Sequence, residues 1–499
     1  MAKNELNFPK LMATKDKLTA AAGLGTLMEL FDSSELKKEF IECLPKRNSS
    51  RSAGSYLLAL ATMASFIYGH DCLEDLDEFR GDPSLKSLFG DKTVAARTIG
   101  DYLRDFDEEH LIKLNNFLNR QSRYVIKLFQ EHLPDEYKPN ELIVDIDSTS
   151  HEQHGEKMEG LAYNYKKEWC LDSQVSFNQM GLCHGFQLRP GNTKSGVDSE
   201  PLIRQSFNDE KTQVQRKFGQ KDFFRADSAY CKQDVIKALI ELGVQFTITA
   251  HDGTTGWKDL LLNTGVHWQP WIYAEEEIQK AELKKTTLPK IEVTRFYWTP
   301  SWSEKQESKL VLPIIVKRTW NKKAEQEEQT SLFYSDGFEH QDPWDYYAVV
   351  TNLQLDTALD KLSATTTSSD LKKQKFWSIQ DVFQHHQKRG NSENFIKEEK
   401  YSYDLKHFPC LKLNANYAYG LLAMVAHNIL RWVSVMTKPD KPHYSKKLRR
   451  RFISIPAKLV HHARQVYLKM MDINLKEVLF LRETLGLKSK KIPLQFSTA

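Results

Sequence analysis

Apolar side chains recur every three or four residues through most of the first 135 positions, a pattern typical of amphipathic α-helices. The pattern is clearest at 23–31, 52–67, 73–79 and 108–131. A further stretch at 92–106 begins near Thr93, a residue type that caps helices, and carries an apolar side that includes Ile99 and Leu103. It fits the second helix of a helix-turn-helix and equally an ordinary bundle helix. Residues 1–135 are therefore predicted to form an all-α domain.

A strand pattern begins after residue 138. Residues 141–150 alternate between an apolar face and a second face that includes Asp145 and Asp147. Further strands are predicted at 174–180, 183–188, 222–226 and 244–249, with helices at 201–218 and 233–242. Asp227 directly follows one of these strands. Because functional groups gather outside the carboxyl ends of parallel strands, Asp227 is a predicted site residue.

Tryptophan is concentrated between residues 251 and 352, which hold seven of the ten tryptophans of the chain. Alternating runs there predict strands at 290–298, 308–317 and 346–352. The chain then returns to helical spacing at 378–399 and 413–435. These residues predict a β-rich insertion followed by helices.

Length and composition exclude several classes of protein. A chain of 499 residues with 40% hydrophobic and 27% charged residues has material for about three folded domains and is unlike a disordered chain. Six widely separated cysteines, with no C-x-x-C pair, argue against a disulfide framework and a zinc ribbon and favour a reducing compartment. The apolar runs at 55–69 and 416–436 are predicted to be buried helices, because the first is too short to span a bilayer and the second contains polar residues such as Arg431.

Positive charge is concentrated at the C-terminal end. Residues 440–499 contain nine Lys and five Arg against two Asp and two Glu, a net charge of +10. The whole chain has a formal net charge of +4, so the other 439 residues sum to −6. A solvated surface is the commoner meaning of such a block, and a polyanionic partner such as nucleic acid is the alternative.

Three acidic residues together give the clearest functional signal. Asp147 lies in one strand, Asp227 follows a second, and Glu393 lies in a helical stretch beyond the insertion. This order resembles the RNase H-like catalytic core of DDE transposases. The segments 147–149 and 225–230 resemble the first two aspartate motifs of insertion-sequence transposases. The third motif of those families is Tyr, two residues, Arg, three residues, Glu, six residues, Lys.

That third motif is matched here by Arg389, Glu393 and Lys400, with His386 at the tyrosine position. More narrowly, the chain resembles the thirteen-eighty group of insertion sequences, which is related to the insertion-sequence four superfamily. The segments that carry this likeness are 21–27, 73–76, 188–192, 389–398 and 452–458. The likeness runs from about residue 20 to residue 470.

The resemblance and the chemistry of the reaction agree on the roles of the acidic residues. Two divalent ions can activate a nucleophile and stabilise a leaving oxygen in phosphodiester cleavage, and hard carboxylate oxygens suit Mg²⁺, with Mn²⁺ as a substitute. Asp147, Asp227 and Glu393 are therefore predicted to be the catalytic metal ligands. Asp145 is the alternative ligand, although a strand residue bonded to nearby backbone is its simpler interpretation. The segment 151–154 lacks the spacing of a zinc motif.

Cations and aromatic residues supply the predicted DNA contacts. Helical spacing places Arg389, Glu393, Lys397 and Lys400 on one face, which is typical of a salt-bridge ladder or, beside the acidic residues, of a surface that holds the scissile strand. Most of the insertion tryptophans are predicted to be core. The predicted DNA-binding residues are Arg389, Lys400, Lys397, His386, Trp298, Trp302, Lys446, Lys447, Arg449, Arg450 and Arg451.

The sequence thus predicts an α/β protein with an RNase H-like core, a mixed sheet flanked by helices, interrupted by a β-rich insertion and preceded by an all-α DNA-binding domain. The predicted domains are 1–135, helical, for inverted-repeat binding and dimerisation; 136–250, first part of the core; 251–352, insertion; 353–439, core helices with Glu393; and 440–499, a basic DNA-binding extension.

The predicted function is a cut-and-paste DNA transposase that cleaves transposon ends and joins their 3′-hydroxyls to target DNA, with a hairpin intermediate suggested by the insertion. The predicted partners are the terminal inverted repeats, target DNA and a second copy of the chain, and the predicted location is the bacterial cytoplasm at the nucleoid, without a membrane. The alternatives are an inactive, domesticated DNA-binding protein, a metal-dependent endonuclease without strand transfer, and a non-catalytic structural protein.

Overall fold

A computed structural model describes residues 12–47, 53–89, 95–207, 221–304, 309–321, 343–356, 376–462 and 465–488. The chain divides into two compact units. Unit 1 comprises residues 1–114, 401–404 and 414–499, and unit 2 comprises residues 115–400 and 405–413. All three predicted catalytic residues belong to unit 2.

Helices dominate the chain up to residue 132, as the apolar spacing predicts. The elements are β1 (Leu18–Thr19), α1 (Leu24–Asp32), α2 (Leu36–Glu42), α3 (Ser55–Tyr68), α4 (Leu76–Gly81), α5 (Pro83–Phe89), α6 (Ala96–Leu103) and α7 (Glu108–His132). The α3 helix is buried along most of its length and ends at Gly69, whose φ of 105° is a left-handed conformation that glycine adopts without strain. Thr93, the predicted cap of the α6 region, lies outside the described residues.

The middle of the chain builds one mixed sheet with helices. The elements are β2 (Ile143–Glu152), β3 (Ala162–Tyr163), β4 (Trp169–Asn178), β5 (Cys183–Pro190), α8 (Glu200–Phe207), β6 (Phe223–Ala226), α9 (Gln233–Glu241), β7 (Gln245–Thr249), α10 (Asp252–Thr255), α11 (Trp257–Asn263), β8 (Gln269–Pro270), α12 (Glu275–Leu283), β9 (Ile291–Trp298), β10 (Leu312–Trp320) and β11 (Trp344–Thr351).

The sheet has ten strands in the order β3-β4-β2-β6-β7-β11-β10-β9-β8, with β5 also paired to β4. The β4 strand is antiparallel to its neighbours β2, β3 and β5, whereas β6 runs parallel to both β2 and β7. The parallel pair β6 and β7 is joined through α9, as the βαβ pattern predicts. The strands of the predicted insertion extend this same sheet past β7, because β11 pairs antiparallel with β7.

The last part of the described chain is mainly helical. It contains α13 (Ile379–Gln387), α14 (Ser392–Ser402), α15 (Leu413–Thr437), α16 (Ser445–Leu448), β12 (Ala457–His462), β13 (Gln465–Lys469) and α17 (Asp472–Thr484). Within the described residues, α15 alone is long and apolar enough to cross a membrane. Since 89% of its most apolar window is buried inside the protein, it fits a core helix.

The continuous helix predicted at 378–399 is wrong. The structure interrupts it with a 3-10 turn, Lys388–Asn391, between α13 and α14. The Arg225 side chain and the Lys388 N–H both donate to the carbonyl of His385, so the end of α13 is tightened. Gly390 in the turn also weakens helix formation.

The C-terminal residues of unit 1 pack with its N-terminal residues. β12 pairs with β1 on one side and β13 on the other. A Cβ at Gly23 would lie 1.7 Å from the carbonyl oxygen of Phe452, so only glycine allows this close approach. The Arg449 guanidinium donates to the carbonyls of Phe66 and Ile67. Unit 1 is therefore built from residues that precede unit 2 in the sequence and residues that follow it, and these two groups pack together.

Candidate active site

Asp147 and Asp227 follow the same parallel pairing of two adjacent strands. In the pairing of β2 with β6, the last pair is Asp145 opposite Arg225, an offset of 80 residues. Asp147 lies two residues beyond this pair on β2, and Asp227 lies two residues beyond it, directly after the end of β6. The Asp147 carboxylate accepts a hydrogen bond from the Ser148 N–H (2.8 Å), and that of Asp227 accepts one from the Ala229 N–H (2.9 Å). Each carboxylate is therefore oriented by a nearby backbone N–H, and the charge of Asp227 acts on Asp147.

A buried ion pair lies directly beneath these carboxylates. The Arg225 guanidinium donates to both oxygens of Asp145, at 2.6 and 2.7 Å, and each side chain is 4% exposed or less. A third donor of Arg225 reaches the carbonyl of His385 (2.8 Å) at the end of α13. Asp145 is therefore a supporting residue, and its partner is a side chain and not the backbone that the sequence suggested. This pair ties β2, β6 and α13 together.

The turn between α13 and α14 brings Arg389 to the carboxylates. Arg389 Nη1 lies 3.3 Å from Asp147 Oδ2, and both side chains are 20% exposed. Glu393 follows in the first turn of α14 and is exposed. Because the 3-10 turn interrupts the helix, Arg389 does not share with Glu393 and Lys397 the continuous helical face that the sequence predicted. Glu393 and Lys397 do lie four residues apart on the same helix, α14.

Electrostatics links the three acidic residues. Burial, together with the negative charges of Asp227 and Glu393, raises the pKa of Asp147 to about 6, while Arg389 opposes this rise. Like charges raise a carboxyl pKa only over short distances, so Asp227 and Glu393 both lie in electrostatic range of Asp147. The edge of the sheet therefore concentrates negative charge around one half-buried carboxylate.

His386, at the position where the resembling families have tyrosine, is buried and 2% exposed. Its two ring nitrogens bond to the hydroxyls of Thr247 (2.9 Å) and Thr249 (3.1 Å) on β7. Burial, reinforced by Arg389 and Arg225, lowers the pKa of His386 to about 3, so the ring is neutral. In this conformation His386 presents no atom to DNA, and it joins α13 to the sheet.

Lys400 lies in a different environment from Arg389. Burial lowers the pKa of Lys400, and the charges that act on it come from Glu399, Glu168, Lys166 and Glu152. These residues belong to α14 and to the β2, β3 and β4 end of the sheet. Lys397 is exposed on α14.

A buried cluster beside Lys400 was not found from the sequence. Glu399 is fully buried, and its carboxylate accepts a hydrogen bond from the Ser173 hydroxyl (3.2 Å), which also lies 2.7 Å from His151 Nε2. Burial raises the pKa of Glu399 to about 8 and lowers that of His151 to about 3. Both groups are therefore neutral near pH 7. A Glu next to a Lys on an amphipathic helix gives no sequence signal of burial.

The aromatic and basic residues that were predicted to contact DNA differ in how exposed they are. Trp298 is 7% exposed and belongs to the core of the sheet, and Trp302 is half-buried with the Lys237 ammonium 4.8 Å from its ring centre. Arg449 is held by backbone carbonyls, and Arg451 donates to Glu477 (2.8 Å). Three members of the basic run are exposed: Lys446, Lys447 and Arg450.

The donor chemistry of the sheet edge fits a hard divalent cation. Among the described residues, no group of three His, Cys, Asp or Glu side chains is drawn close enough to form a finished metal cluster. The mutual repulsion that raises the pKa of Asp147 is nevertheless the interaction that a bound cation relieves. Asp147 and Asp227 supply the nearest oxygens, and Glu393 is the third acidic group in range.

Comparison with known proteins gives a family match over nearly the whole chain. The model of the family described as transposase DDE domain group 1 matches residues 10–488. No curated protein is similar enough to the chain to match it.

Proposed function

The chain belongs to the DDE transposase family, and from this premise we propose that it is a cut-and-paste transposase with Asp147, Asp227 and Glu393 as its catalytic triad. The observation that carries the proposal is the placement of Asp147 on β2 and of Asp227 directly after the adjacent parallel strand β6, within electrostatic range of each other. Two further contacts support the proposal. The buried ion pair Asp145–Arg225 lies two residues before the aspartates in the sequence, and Arg389 contacts Asp147.

The strand order supports an RNase H-like core. Three antiparallel strands, β5, β4 and β2, are followed across the sheet by the parallel strands β6 and β7. Asp147 lies on β2, the central strand of this set, and Asp227 directly follows its neighbour β6. The finer membership in the thirteen-eighty group rests on the sequence segments that resemble it, including Arg389 to Glu398.

Two Mg²⁺ ions, with Mn²⁺ as a substitute, are the proposed cofactor. When bound, such ions activate the attacking oxygen and stabilise the leaving oxygen of a phosphodiester. Asp147 and Asp227 would hold them, and the exposed Glu393 would supply the third carboxylate of the ligand set. Arg389 then stands beside the scissile phosphate, where its planar guanidinium can donate two hydrogen bonds.

The rest of the chain is proposed to bind DNA. The helical part of unit 1 recognises the terminal inverted repeats, and the exposed Lys446, Lys447 and Arg450 contact phosphates without sequence preference. Two copies pair the two ends in the synaptic complex, and a hairpin intermediate accompanies end cleavage. The protein acts in the cytoplasm, at the nucleoid.

The test uses labelled DNA that carries the inverted repeats flanking the gene, with Mg²⁺. Wild type should release the transposon end, whereas Asp147→Asn, Asp227→Asn and Glu393→Gln should bind the end and leave it uncut. Lys285→Gln, on a distant turn, is the matched control and should cut normally. End binding without cleavage by wild type would support the inactive DNA-binding alternative and contradict the proposal.

A further inference from the structure

The β3–β4 hairpin carries an ordered turn with exposed cationic and aromatic side chains. The turn spans residues 164–168: the Lys167 N–H donates to the Asn164 carbonyl (3.0 Å) and the Asn164 N–H to the Glu168 carbonyl (3.1 Å). The Asn164 side chain also accepts from the N–H groups of Lys166 (2.9 Å) and Glu168 (3.0 Å). Backbone hydrogen bonds and the Asn164 side chain thus fix the five residues of the turn.

The acidic residue of this turn points away from its tip. The Glu168 carboxylate accepts hydrogen bonds from the Asn164 amide (2.6 Å) and from the Ser150 hydroxyl on β2 (2.9 Å). These two bonds lower the pKa of Glu168 and hold its charge against the sheet. On the other side of the hairpin, the Trp169 indole donates to the Gly155 carbonyl (2.9 Å) and its ring packs on Tyr163. The turn is anchored at its base.

The tip presents Tyr165, Lys166 and Lys167 to solvent. Tyr165 is 87% exposed, far more than an aromatic ring that serves the core. Lys167 has a φ of 64°, a left-handed conformation that favours glycine and disfavours lysine. A long cationic side chain at a position where glycine is the favoured residue points to a use for that side chain.

The tip lies on the Lys400 side of the site. Burial lowers the pKa of Lys400, and Lys166 adds to this while Glu399 and Glu168 oppose it, so Lys166 lies in electrostatic range of Lys400. Asp147 is paired with Val175 on β4, seven residues beyond Glu168. Seven strand residues span about 24 Å, so a duplex whose axis ran along β4 would cover this length with about seven base pairs.

We propose that this tip, Tyr165 with Lys166 and Lys167, is a second DNA contact that holds the phosphate backbone of the duplex about six to seven base pairs from the cleaved bond. The proposal rests on the proposed transposase function. The two ammonium groups pair with phosphates, and the Tyr165 hydroxyl donates to a phosphate oxygen. Such contacts position the duplex over the carboxylates and carry no base preference.

Lys167→Gly is a sharp test, because glycine keeps the left-handed turn while it removes the charge. Lys285→Gly is the matched control, since Lys285 also has a positive φ, 52°, on an exposed turn. Dissociation constants for the end duplex are measured over a salt series in the Asp147→Asn background, which prevents cleavage. Hydroxyl-radical footprints of the same complexes locate the contact along the DNA.

Lys167→Gly should raise the Kd about fivefold and make the slope of log K against log salt shallower by about 0.9, as expected for one lost phosphate contact. Tyr165→Ala should raise the Kd and Tyr165→Trp should restore part of it. Protection six to seven base pairs from the cleavage point should weaken, and Lys285→Gly should match the parent.

Different failures point to different parts of the account. If wild type cleaves ends but Lys167→Gly and Tyr165→Ala bind as the parent does, the tip proposal is wrong and the transposase proposal stands. If Lys285→Gly weakens binding as much as Lys167→Gly, the weaker binding reflects the net charge of the protein, and the tip proposal is also overturned. If wild type neither binds nor cuts the end DNA, both proposals fall.

Discussion

Removing one partner of the Asp145–Arg225 ion pair should destabilise unit 2 strongly. Both side chains are 4% exposed or less, and Arg225 donates to both carboxylate oxygens. Asp145→Ala leaves a guanidinium buried without its counter-charge, for which a cost of about 3–5 kcal/mol is typical. For a domain of this size, 1 kcal/mol shifts the Tm by about 2–4 °C, so the expected loss is about 6–20 °C.

The assay is thermal unfolding followed by circular dichroism, with two comparisons. Glu241→Ala removes the Arg204 contact (2.6 Å) of an exposed pair and should cost at most about 1 kcal/mol. The double variant Asp145→Leu/Arg225→Met replaces both charges with apolar groups and should recover most of the stability. Its end cleavage should stay low, because the bond from Arg225 to the His385 carbonyl is lost.

A Tm for Asp145→Ala within 2 °C of wild type would refute the reasoning, since it would mean that the buried guanidinium finds another partner or water. Full cleavage activity in the double variant would separately refute the positioning role assigned to Arg225.

Three further predictions follow from single contacts. The folded protein keeps a proton on Glu399 that the unfolded chain loses near pH 4.5, so the contribution of Glu399 to stability should fall as pH rises toward 8, by roughly 4–5 kcal/mol in total; denaturant titration should show the stability of Glu399→Gln relative to wild type increasing steadily from pH 4 to pH 8.5, and a pH-independent difference would contradict this. Gly23→Ala should unfold unit 1 in the same assay, because its Cβ would meet a backbone carbonyl at 1.7 Å. Gly25→Ala has open space and should raise the free energy of unfolding by about 0.5–1 kcal/mol. Equal denaturation midpoints for the two variants would contradict this difference. Arg389→Ala removes the cation beside Asp147 and should slow end cleavage at least about tenfold while end binding is kept. Single-turnover cleavage followed on gels measures this rate, and an unchanged rate would exclude Arg389 from the site.

The strands that carry the aspartates could be predicted because their signals are local. Strict alternation at 141–150 and the βαβ pattern at 222–249 correspond to β2, β6, α9 and β7 with shifts of one or two residues at their ends. Alternation also fixes which side chains share a face, so Asp147 follows Asp145 on the same side of β2. The placement of Asp227 near Asp147 requires the register of two strands that are distant in sequence, which no local pattern contains.

The helix around Glu393 shows where local patterns are insufficient. Helical spacing predicts one helix through 378–399, but a side chain from β6, Arg225, bonds to the His385 carbonyl in the last turn of α13, and a 3-10 turn follows. A tertiary contact thus overrides local propensity. The Asp145–Arg225 pair did have a signal, since the two residues show the same 80-residue offset as Asp147 and Asp227. The burial of His386 and Glu399 had no sequence signal, because their neighbours in the sequence are polar.

The most direct test of the central claim is strand transfer. Transposon-end DNA with exposed 3′-hydroxyls is incubated with a target plasmid and Mg²⁺, and the junctions are sequenced. Wild type should join the ends to the target, and Asp147→Asn, Asp227→Asn and Glu393→Gln should each abolish joining while binding persists. Joining that survives any one of these substitutions would contradict the assignment of that residue, and cleavage by wild type without any joining would contradict the transposase account in favour of an endonuclease.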